Sequence, residues 1–249
     1  MQDFKISLIT VAFNAESTID RCIQSVIAQS FKNFEYIIID GGSTDKTIQI
    51  INKYINHVNI FESGPDAGIY DAMNKGIKLA GGDIIGMLNA DDFFTDSNIL
   101  STVAGAFKQQ KADIVYGDLD FVDTQDNIVR RWRSGEYTRG KFNWGWMPPH
   151  PTFYCKRELF LQFGFYSLEY GTAADYELML RFMHRRDIKA FYIKKILIGM
   201  KIGGISNKSF GNRVNSLFFD LKAMRNNGIL FPLITLLLKP FRKFCQYFN

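Results

Sequence analysis

The feature that most constrains this chain is a regular alternation of strand-like and helix-like segments along its first half. Apolar, strand-like runs occupy residues 6–12, 36–40, 59–61, 84–88 and 114–116. Segments with helical spacing of apolar residues lie between them, at residues 17–29, 46–55, 70–79 and 98–109. This alternation predicts an α/β fold, in which helices flank a single, mostly parallel sheet.

Polar side chains follow four consecutive strand-like runs. They are Thr10 and Asn14 at the end of the first run, Asp40 at the end of the second, Asp66 after the third, and Asn89, Asp91 and Asp92 after the fourth. A single acid at a strand end is commonly a helix cap. However, ligands of parallel sheets bind where the carboxyl ends of the strands meet. Four polar strand ends together therefore predict one shared binding site.

The sequence lacks the glycine motifs that bind phosphate directly. No GxGxxG follows the first strand-like run and no GxxxxGK[ST] is present, which excludes the dinucleotide-binding and P-loop classes. Asp91 and Asp92 are suited instead to a hard cation such as Mg²⁺ or Mn²⁺, which can also bind diphosphate oxygens. Asp40 could accept a hydrogen bond from a base N–H, such as that of uracil. Together these residues predict a nucleotide-diphosphate site that depends on a divalent cation.

A resemblance to a known family rests on four segments. In chain order they are ISLITVAFNAESTI, YIIIDGGSTDKT, DAGIYDAMNKGIKLAGGDIIGMLNADD and TAADYELMLR. Together they resemble the inverting family 2 glycosyltransferases of the GT-A fold over about residues 5–200. They are most similar to bacterial enzymes that build O-antigen, capsule or colanic-acid polysaccharides. The resemblance implies a GT-A domain at residues 1–206, divided into a nucleotide-sugar half at 1–117 and an acceptor half at 118–206.

The resemblance also implies roles for individual residues. It assigns nucleotide contacts to Thr10, Asn14, Asp40, Asp66 and Asn89, and it assigns Mn²⁺ or Mg²⁺ to Asp91, with Asp92 as the second ligand. Asn89 stands where the family usually has the first acid of an Asp-x-Asp motif, which removes one negative charge beside the metal. Met73 stands where many members have arginine, so recognition of the nucleotide must rest on other contacts.

Asp175 is the candidate catalytic base. It lies near the start of a helix-like segment, where a carboxylate also complements the helix dipole, so the residues alone leave a capping role open. The resemblance favours the base. In an inverting transfer the acceptor hydroxyl loses its proton as it attacks the anomeric carbon, and the metal stabilises the leaving diphosphate. Ala174 replaces the Glu that often precedes this Asp in the family.

The acceptor half has a different pattern from the first half. Residues 118–133 are typical of a β-hairpin with its turn at 124–127. Trp144, Trp146 and His150 lie in a Pro-rich aromatic loop, whose rings could form the wall of a sugar site or pack in the core. Arg181 could hold an acceptor phosphate or be structural. The loop at 201–208 could close on the diphosphate through its backbone N–H groups.

The C-terminal part of the chain is strongly basic. Residues 181–249 contain 14 Lys and Arg against two acids. We expect residues 207–249 to form a helical tail, either packed on the domain or lying in the membrane interface through its basic and aromatic residues. The longest apolar stretch, at 229–238, is too short to span a bilayer. Together with the lack of a signal-peptide pattern, this predicts a cytoplasmic enzyme at the inner face of the membrane.

The predicted activity is the non-processive transfer of one sugar from a nucleotide sugar, with UDP favoured, to a saccharide on undecaprenyl diphosphate. A nucleotidyltransferase is one alternative, but residues 13–18 lack the basic residue expected of its phosphate loop. A non-catalytic module that binds nucleotide or membrane is another, and the presence of both Asp91 and Asp175 argues against it. Nucleic-acid binding is disfavoured because the basic residues form no recognised module.

Overall fold

The computed structural model describes residues 4–186, 188–202 and 210–246. Its first half confirms the predicted alternation of strands and helices. The elements are β1 (Ile6–Ala12), α1 (Ile19–Ile27), β2 (Phe34–Asp40), α2 (Thr47–Lys53), β3 (Ile60–Ser63), α3 (Ile69–Leu79) and β4 (Ile84–Met87). The strand β1 has the predicted bounds, and the others differ from the predictions by a few residues at their ends.

The second half adds short strands and the remaining helices. They are β5 (Asp92–Phe94), α4 (Ile99–Gln110), β6 (Ile114–Val122), β7 (Ile128–Trp132), β8 (Tyr154–Lys156), α5 (Arg157–Phe163), α6 (Ala174–Met179), β9 (Ala190–Lys201), α7 (Phe210–Asn226) and α8 (Pro232–Cys245). The predicted hairpin is confirmed, because β6 and β7 pair antiparallel. The proposed phosphate loop at 201–208 lies, from residue 203 onward, outside the described residues.

The strands form one sheet in the order β3-β2-β1-β4-β8-β6-β9-β5, with β7 paired to β6. The strands β3, β2, β1 and β4 are parallel, so their carboxyl ends meet at one edge. The short strand β8 then pairs antiparallel with both β4 and β6, and joins the two halves of the sheet. The predicted α/β fold class is confirmed.

The sheet separates two hydrophobic layers. Successive side chains of a strand point to opposite faces, so β1 contributes Ile9 and Val11 to one layer and Ile6 and Leu8 to the other. The first layer includes the buried face of α3, and the second includes that of α1. Because helices cover both faces, the residues of β1 are buried along its whole length.

The two C-terminal helices pack on the acceptor half. Ala223, Met224 and Ile229 are buried in the layer that also contains α6. The Thr235 hydroxyl donates a hydrogen bond to the carbonyl of Asn143 at 2.6 Å. None of the described helices has the length and apolar character needed to cross a membrane.

Candidate active site

The loops after β1 and β2 are tied together by Asn14. Its backbone φ of 47° is in the left-handed region, which asparagine tolerates better than most residues. The Asn14 N–H donates to Ser43 Oγ at 2.8 Å, and Asn14 Oδ1 accepts from the Thr44 N–H at 2.9 Å. The side chain is exposed at the edge of the sheet, as its predicted role requires.

Asp40 organises the loop that follows β2. Its buried carboxylate accepts hydrogen bonds from the Gly42 N–H at 3.1 Å, from the N–H and hydroxyl of Ser43, and from the Ser63 hydroxyl at 2.7 Å. These donors occupy the oxygens that we expected a base to contact. A base N–H would have to share them, so the main role of Asp40 in this structure is to shape the cleft.

Asp66 and Phe13 form the wall of the cleft beside Gly41. A Cβ atom at Gly41 would lie 2.6 Å from Asp66 Oδ2 and 3.4 Å from the Phe13 ring, so only glycine leaves room for this arrangement. The Phe13 side chain is 55% exposed. The sequence interpretation overlooked it, although an aromatic residue next to the strand-end Asn14 is a signal for a stacking surface.

Thr10 does not face the cleft, which corrects the expected contact with the nucleotide. Its side chain is fully buried, and the Tyr36 hydroxyl donates to Thr10 Oγ1 at 3.1 Å. Thr10 lies on the face of β1 that packs towards α1, where its hydroxyl also lies 3.8 Å from Cys22 Sγ. The hydroxyl thus serves a core hydrogen bond.

The two adjacent acids lie at the start of β5: Asp91 ends the turn after β4, and Asp92 is the first residue of β5. Asp91 is partly exposed, and burial raises its pKa. Asp92 is buried, and its burial, together with the charge of Asp91, raises its pKa well above the usual range. Its carboxylate oxygens have no hydrogen-bond partner in the described part of the chain, and neither has Asn89 Oδ1. Asp91 is therefore the acid that a ligand from solvent can reach, whereas Asp92 lies beneath it.

These residues can supply only part of a metal site. No group of three or more His, Cys, Asp or Glu side chains that could hold a metal occurs within residues 4–186, 188–202 and 210–246. The partly exposed Asp91 carboxylate is an oxygen donor of the kind that Mg²⁺ and Mn²⁺ prefer, whereas Asn89 Oδ1 is buried. Mg²⁺ usually binds one or two carboxylates together with waters and substrate phosphates, so this donor set fits such an ion.

Asp175 lies in the first turn of α6, as predicted. Its Oδ1 accepts a hydrogen bond from the Tyr176 N–H at 2.7 Å. Burial raises the pKa of Tyr70 well above its usual range, and the negative charge of Asp175 adds to that effect. The same charge opposes the lowering of the His150 pKa by burial. The geometry agrees with this for Tyr70, because the Tyr70 hydroxyl donates to the Thr172 carbonyl at 3.4 Å, so α3 and the start of α6 lie together.

Tyr166 joins this group. Its hydroxyl is 2.7 Å from His150 Nε2, and its ring centroid is 5.5 Å from that of Tyr70. Asn74 of α3 holds the backbone of Tyr166, because Asn74 Nδ2 donates to the Tyr166 carbonyl at 2.9 Å and Asn74 Oδ1 accepts from its N–H at 3.0 Å. Sequence reasoning missed Tyr70, Asn74 and Tyr166, since no local pattern links residues 92 positions apart.

Two predicted acceptor residues have structural roles instead. The Trp146 side chain is buried, and its Nε1 donates to the Ser134 carbonyl at 2.7 Å. The Arg181 guanidinium pairs with Glu177 at 3.0 Å and donates to the three carbonyls of residues 163–165. Neither group is free to bind an acceptor. Trp144, by contrast, is 64% exposed.

Comparison with known proteins decides the family. A family model described as Glycosyl transferase family 2 matches residues 7–170. The chain is a family 2 glycosyltransferase. A PGL/p-HBAD biosynthesis glycosyltransferase of Mycobacterium tuberculosis is 30% identical to this enzyme over 206 residues, which cover 81% of this chain and 78% of that protein. An uncharacterized glycosyltransferase of Haemophilus influenzae is 35% identical over 128 residues, covering 50% of this chain and 51% of that protein.

Solved structures share the fold of this glycosyltransferase. Residues 1–349 of Staphylococcus aureus TarS, in complex with UDP-GlcNAc, superpose with a TM-score of 0.74 at 17% identity, covering 97% of this chain and 73% of that chain. The mannosyltransferase PcManGT from Pyrobaculum calidifontis, in complex with GDP-Man and Mn²⁺, gives a TM-score of 0.68 at 13% identity, covering 95% and 72%. The chain spans 39% of a longer TarS structure. The predicted GT-A fold is thereby confirmed.

Proposed function

We propose that this glycosyltransferase inverts the anomeric centre and transfers a single sugar from a nucleotide sugar to a lipid-diphosphate-linked saccharide in bacterial surface polysaccharide synthesis. The observation that carries the proposal is the position of Asp175. Asp175 lies in the first turn of α6, and just before it the Thr172 carbonyl accepts a hydrogen bond of 3.4 Å from the hydroxyl of Tyr70 on α3, so the candidate base lies where the two halves of the domain meet. A base in this position can deprotonate an acceptor hydroxyl that attacks a donor held at the strand ends.

The donor site in this proposal is the edge of the parallel strands. The exposed ring of Phe13 offers a stacking surface for a base, while Asn14, Asp66 and Asn89 offer polar groups to the nucleoside. UDP is the favoured nucleotide, and the TarS complex with UDP-GlcNAc shows that a protein of this fold binds a UDP-sugar. PcManGT was solved with GDP-Man, so a GDP-sugar belongs in the same screen.

The proposed metal is Mn²⁺ or Mg²⁺, held by Asp91. When bound, the ion would supply Lewis-acid stabilisation of the leaving diphosphate. Asp92 is a supporting residue in this proposal, because its carboxylate is buried under the turn.

Asp175 acts as the general base on the acceptor. The acceptor oxygen forms a bond to the anomeric carbon while its proton passes to the Asp175 carboxylate and the nucleoside diphosphate leaves on the opposite side. Correct placement of such a base contributes about 10²- to 10⁴-fold to the rate.

The acceptor is proposed to be a saccharide on undecaprenyl diphosphate, reached from the inner face of the cytoplasmic membrane through the C-terminal tail. The tail exposes apolar side chains: Leu230, Phe231, Leu233, Ile234, Leu237 and Phe241 are each more than half exposed. Exposed apolar groups on a basic helix are typical of interfacial helices. Each Lys or Arg near an anionic surface adds about 1 kcal/mol to binding.

A donor screen tests the activity. UDP- and GDP-sugars are incubated with the full chain, a synthetic lipid-diphosphate saccharide, and Mn²⁺, Mg²⁺ or EDTA, and the released nucleotide and product anomer are measured. We expect cation-dependent transfer with inversion. Asp175→Asn should reduce kcat by at least about 100-fold while nucleotide binding persists. Loss of nucleotide binding in that variant, or retention of configuration, would contradict the proposed role of Asp175.

Vesicle sedimentation tests the membrane proposal. The double variant Leu237→Ser and Phe241→Ser should reduce binding to vesicles containing phosphatidylglycerol, because both side chains are exposed and apolar. Leu161→Ser is the matched control, since this side chain is 65% exposed but lies on α5. Equal binding by the double variant and wild type would refute the tail as the contact.

A further inference from the structure

Lys239 lies where α8 meets the acceptor half, which contains Asp175. Its Nζ is 2.7 Å from Asp220 Oδ2 of α7 and 3.6 Å from the ring centroid of Tyr176. The Lys239 and Asp220 side chains are only 11% and 15% exposed. Water therefore screens this ion pair little, and the ammonium group lies against the ring face, which attracts cations.

Tyr176 transmits this contact to the candidate base. It follows Asp175 directly in α6, and its N–H donates to Asp175 Oδ1 at 2.7 Å. Its ring is buried and lies 6.3 Å from the ring of Phe142, which is buried as well. A group that fixes the Tyr176 ring therefore also fixes the first turn of α6 and the carboxylate that the turn carries.

Gly145 allows α8 to approach this closely. A Cβ atom at Gly145 would lie 2.8 Å from the backbone N and 3.2 Å from the Cα of Lys239, and its φ of +73° is one that glycine adopts without strain. Residues of α8 on both sides of Lys239 also make hydrogen bonds that hold α8 against this loop. Thr235 Oγ1 donates to the Asn143 carbonyl, and Arg242 Nε donates to the Trp144 carbonyl at 2.8 Å.

We propose that Lys239 is a positioning residue for Asp175. The helix α8 is then part of the catalytic machinery of the acceptor half, in addition to its proposed contact with the membrane. This inference rests on the proposed function, in which Asp175 is the base. Lys239 neither touches the substrate nor carries the proton. It holds Tyr176 between α8 and Phe142, so that the Asp175 carboxylate stays aligned with the acceptor oxygen.

Kinetics without a membrane separate positioning from anchoring. Lys239→Met and Lys239→Arg are compared with wild type in transfer to a water-soluble saccharide acceptor without vesicles, using the donor that is active in the screen above, with UDP-N-acetylglucosamine as the first probe. A misplacement of about 1 Å can cost about 100-fold in rate, so we expect Lys239→Met to lower kcat by about 10- to 100-fold with little change in the donor KM. The Lys239→Arg variant keeps both the ion pair and the ring contact, so it should retain most of the wild-type kcat.

Amide hydrogen exchange supplies a readout that does not depend on activity. Lys239→Met should accelerate exchange in the first turn of α6, while Lys239→Arg should not. Unchanged kcat and unchanged exchange in Lys239→Met would overturn the positioning role. A wild type that is inactive with every donor would contradict the proposed function instead, and the exchange experiment would still decide whether Lys239 holds α6.

A pair of glycine variants tests the same contact without changing any charge. Gly145→Ala and Gly140→Ala both place a Cβ at a positive φ in one loop, but at Gly140 the nearest atom is a side-chain nitrogen of Asn143 at 3.7 Å. Only Gly145→Ala should displace α8, so it should reproduce the loss of kcat in Lys239→Met. Equal kcat values for the two alanine variants would overturn the inference.

Discussion

Replacing Asn74 by alanine tests whether one side chain holds the two halves of the domain together. Asn74 is 9% exposed and makes two hydrogen bonds, of 2.9 and 3.0 Å, to the backbone of Tyr166. Alanine would leave both backbone groups of Tyr166 without these partners. Each unsatisfied buried group costs about 1–3 kcal/mol, and water entering the vacated space recovers part of this, so we expect a loss of about 2–4 kcal/mol in the free energy of unfolding.

Urea unfolding followed by circular dichroism measures this loss. Asn226→Ala is the matched control, because Asn226 is exposed and its Nδ2 makes a single hydrogen bond, 2.9 Å long, to the Tyr170 hydroxyl. Its loss should be at most about 1 kcal/mol. With a slope of about 2–3 kcal/mol per M urea, the midpoint should fall by about 1 M for Asn74→Ala and by a few tenths for the control. Equal shifts for the two variants would refute the reasoning.

Three further predictions concern stability. Trp146→Ala should lower the free energy of unfolding by about 3–5 kcal/mol because the ring is buried. Trp144→Ala should change it by less than about 0.5 kcal/mol because that side chain is exposed. Similar losses of unfolding free energy in the two variants, measured by urea denaturation, would contradict this. Burial raises the pKa of Glu35, but hydrogen bonds from a lysine, a serine and a backbone N–H outweigh it and hold the pKa below 4.5. The Glu35 carboxylate thus stabilises the fold at pH values above its unfolded-state pKa, and this contribution is lost as the pH falls through its folded-state pKa. In Glu35→Gln the free energy of unfolding should therefore fall less steeply on acidification than in wild type. Gly86→Ala should lower the midpoint temperature of thermal unfolding, because the alanine Cβ would overlap the Tyr154 ring.

The parallel half of the sheet could be predicted because its signals are local. The strand β2 contains an uninterrupted apolar run that is buried on both faces, and the amphipathic spacing of α1 places Ile19, Ile23 and Val26 in the core. Parallel connectivity then brings the strand ends to one edge without further information. The predicted site residues at that edge, such as Asn14 and Asp66, therefore lie near one another.

Side-chain direction and distant partners could not be predicted in the same way. The residues on either side of Thr10 are buried in the core. The direction of the Thr10 hydroxyl depends on a hydrogen bond from Tyr36 on the neighbouring strand. Arg181 finds its carbonyl acceptors 16 to 18 residues earlier in the chain, at the end of α5 and in the two residues that follow it. Trp146 is an aromatic residue in a Pro-rich loop, a pattern that is equally compatible with a sugar-binding wall and with the core. Each of these depends on packing rather than on local spacing.

The charge at the strand ends indicates what the donor site needs. The position where the family resemblance leads us to expect arginine is Met73, which lies on the buried face of α3. The site residues proposed at the strand ends that are at least partly exposed are instead acids and amides: Asn14, Asp66, Asn89 and Asp91. These groups would repel a diphosphate or leave its charge uncompensated. A divalent ion at Asp91 would reverse the local charge, so that binding of the nucleotide and stabilisation of the leaving group would depend on the same ion.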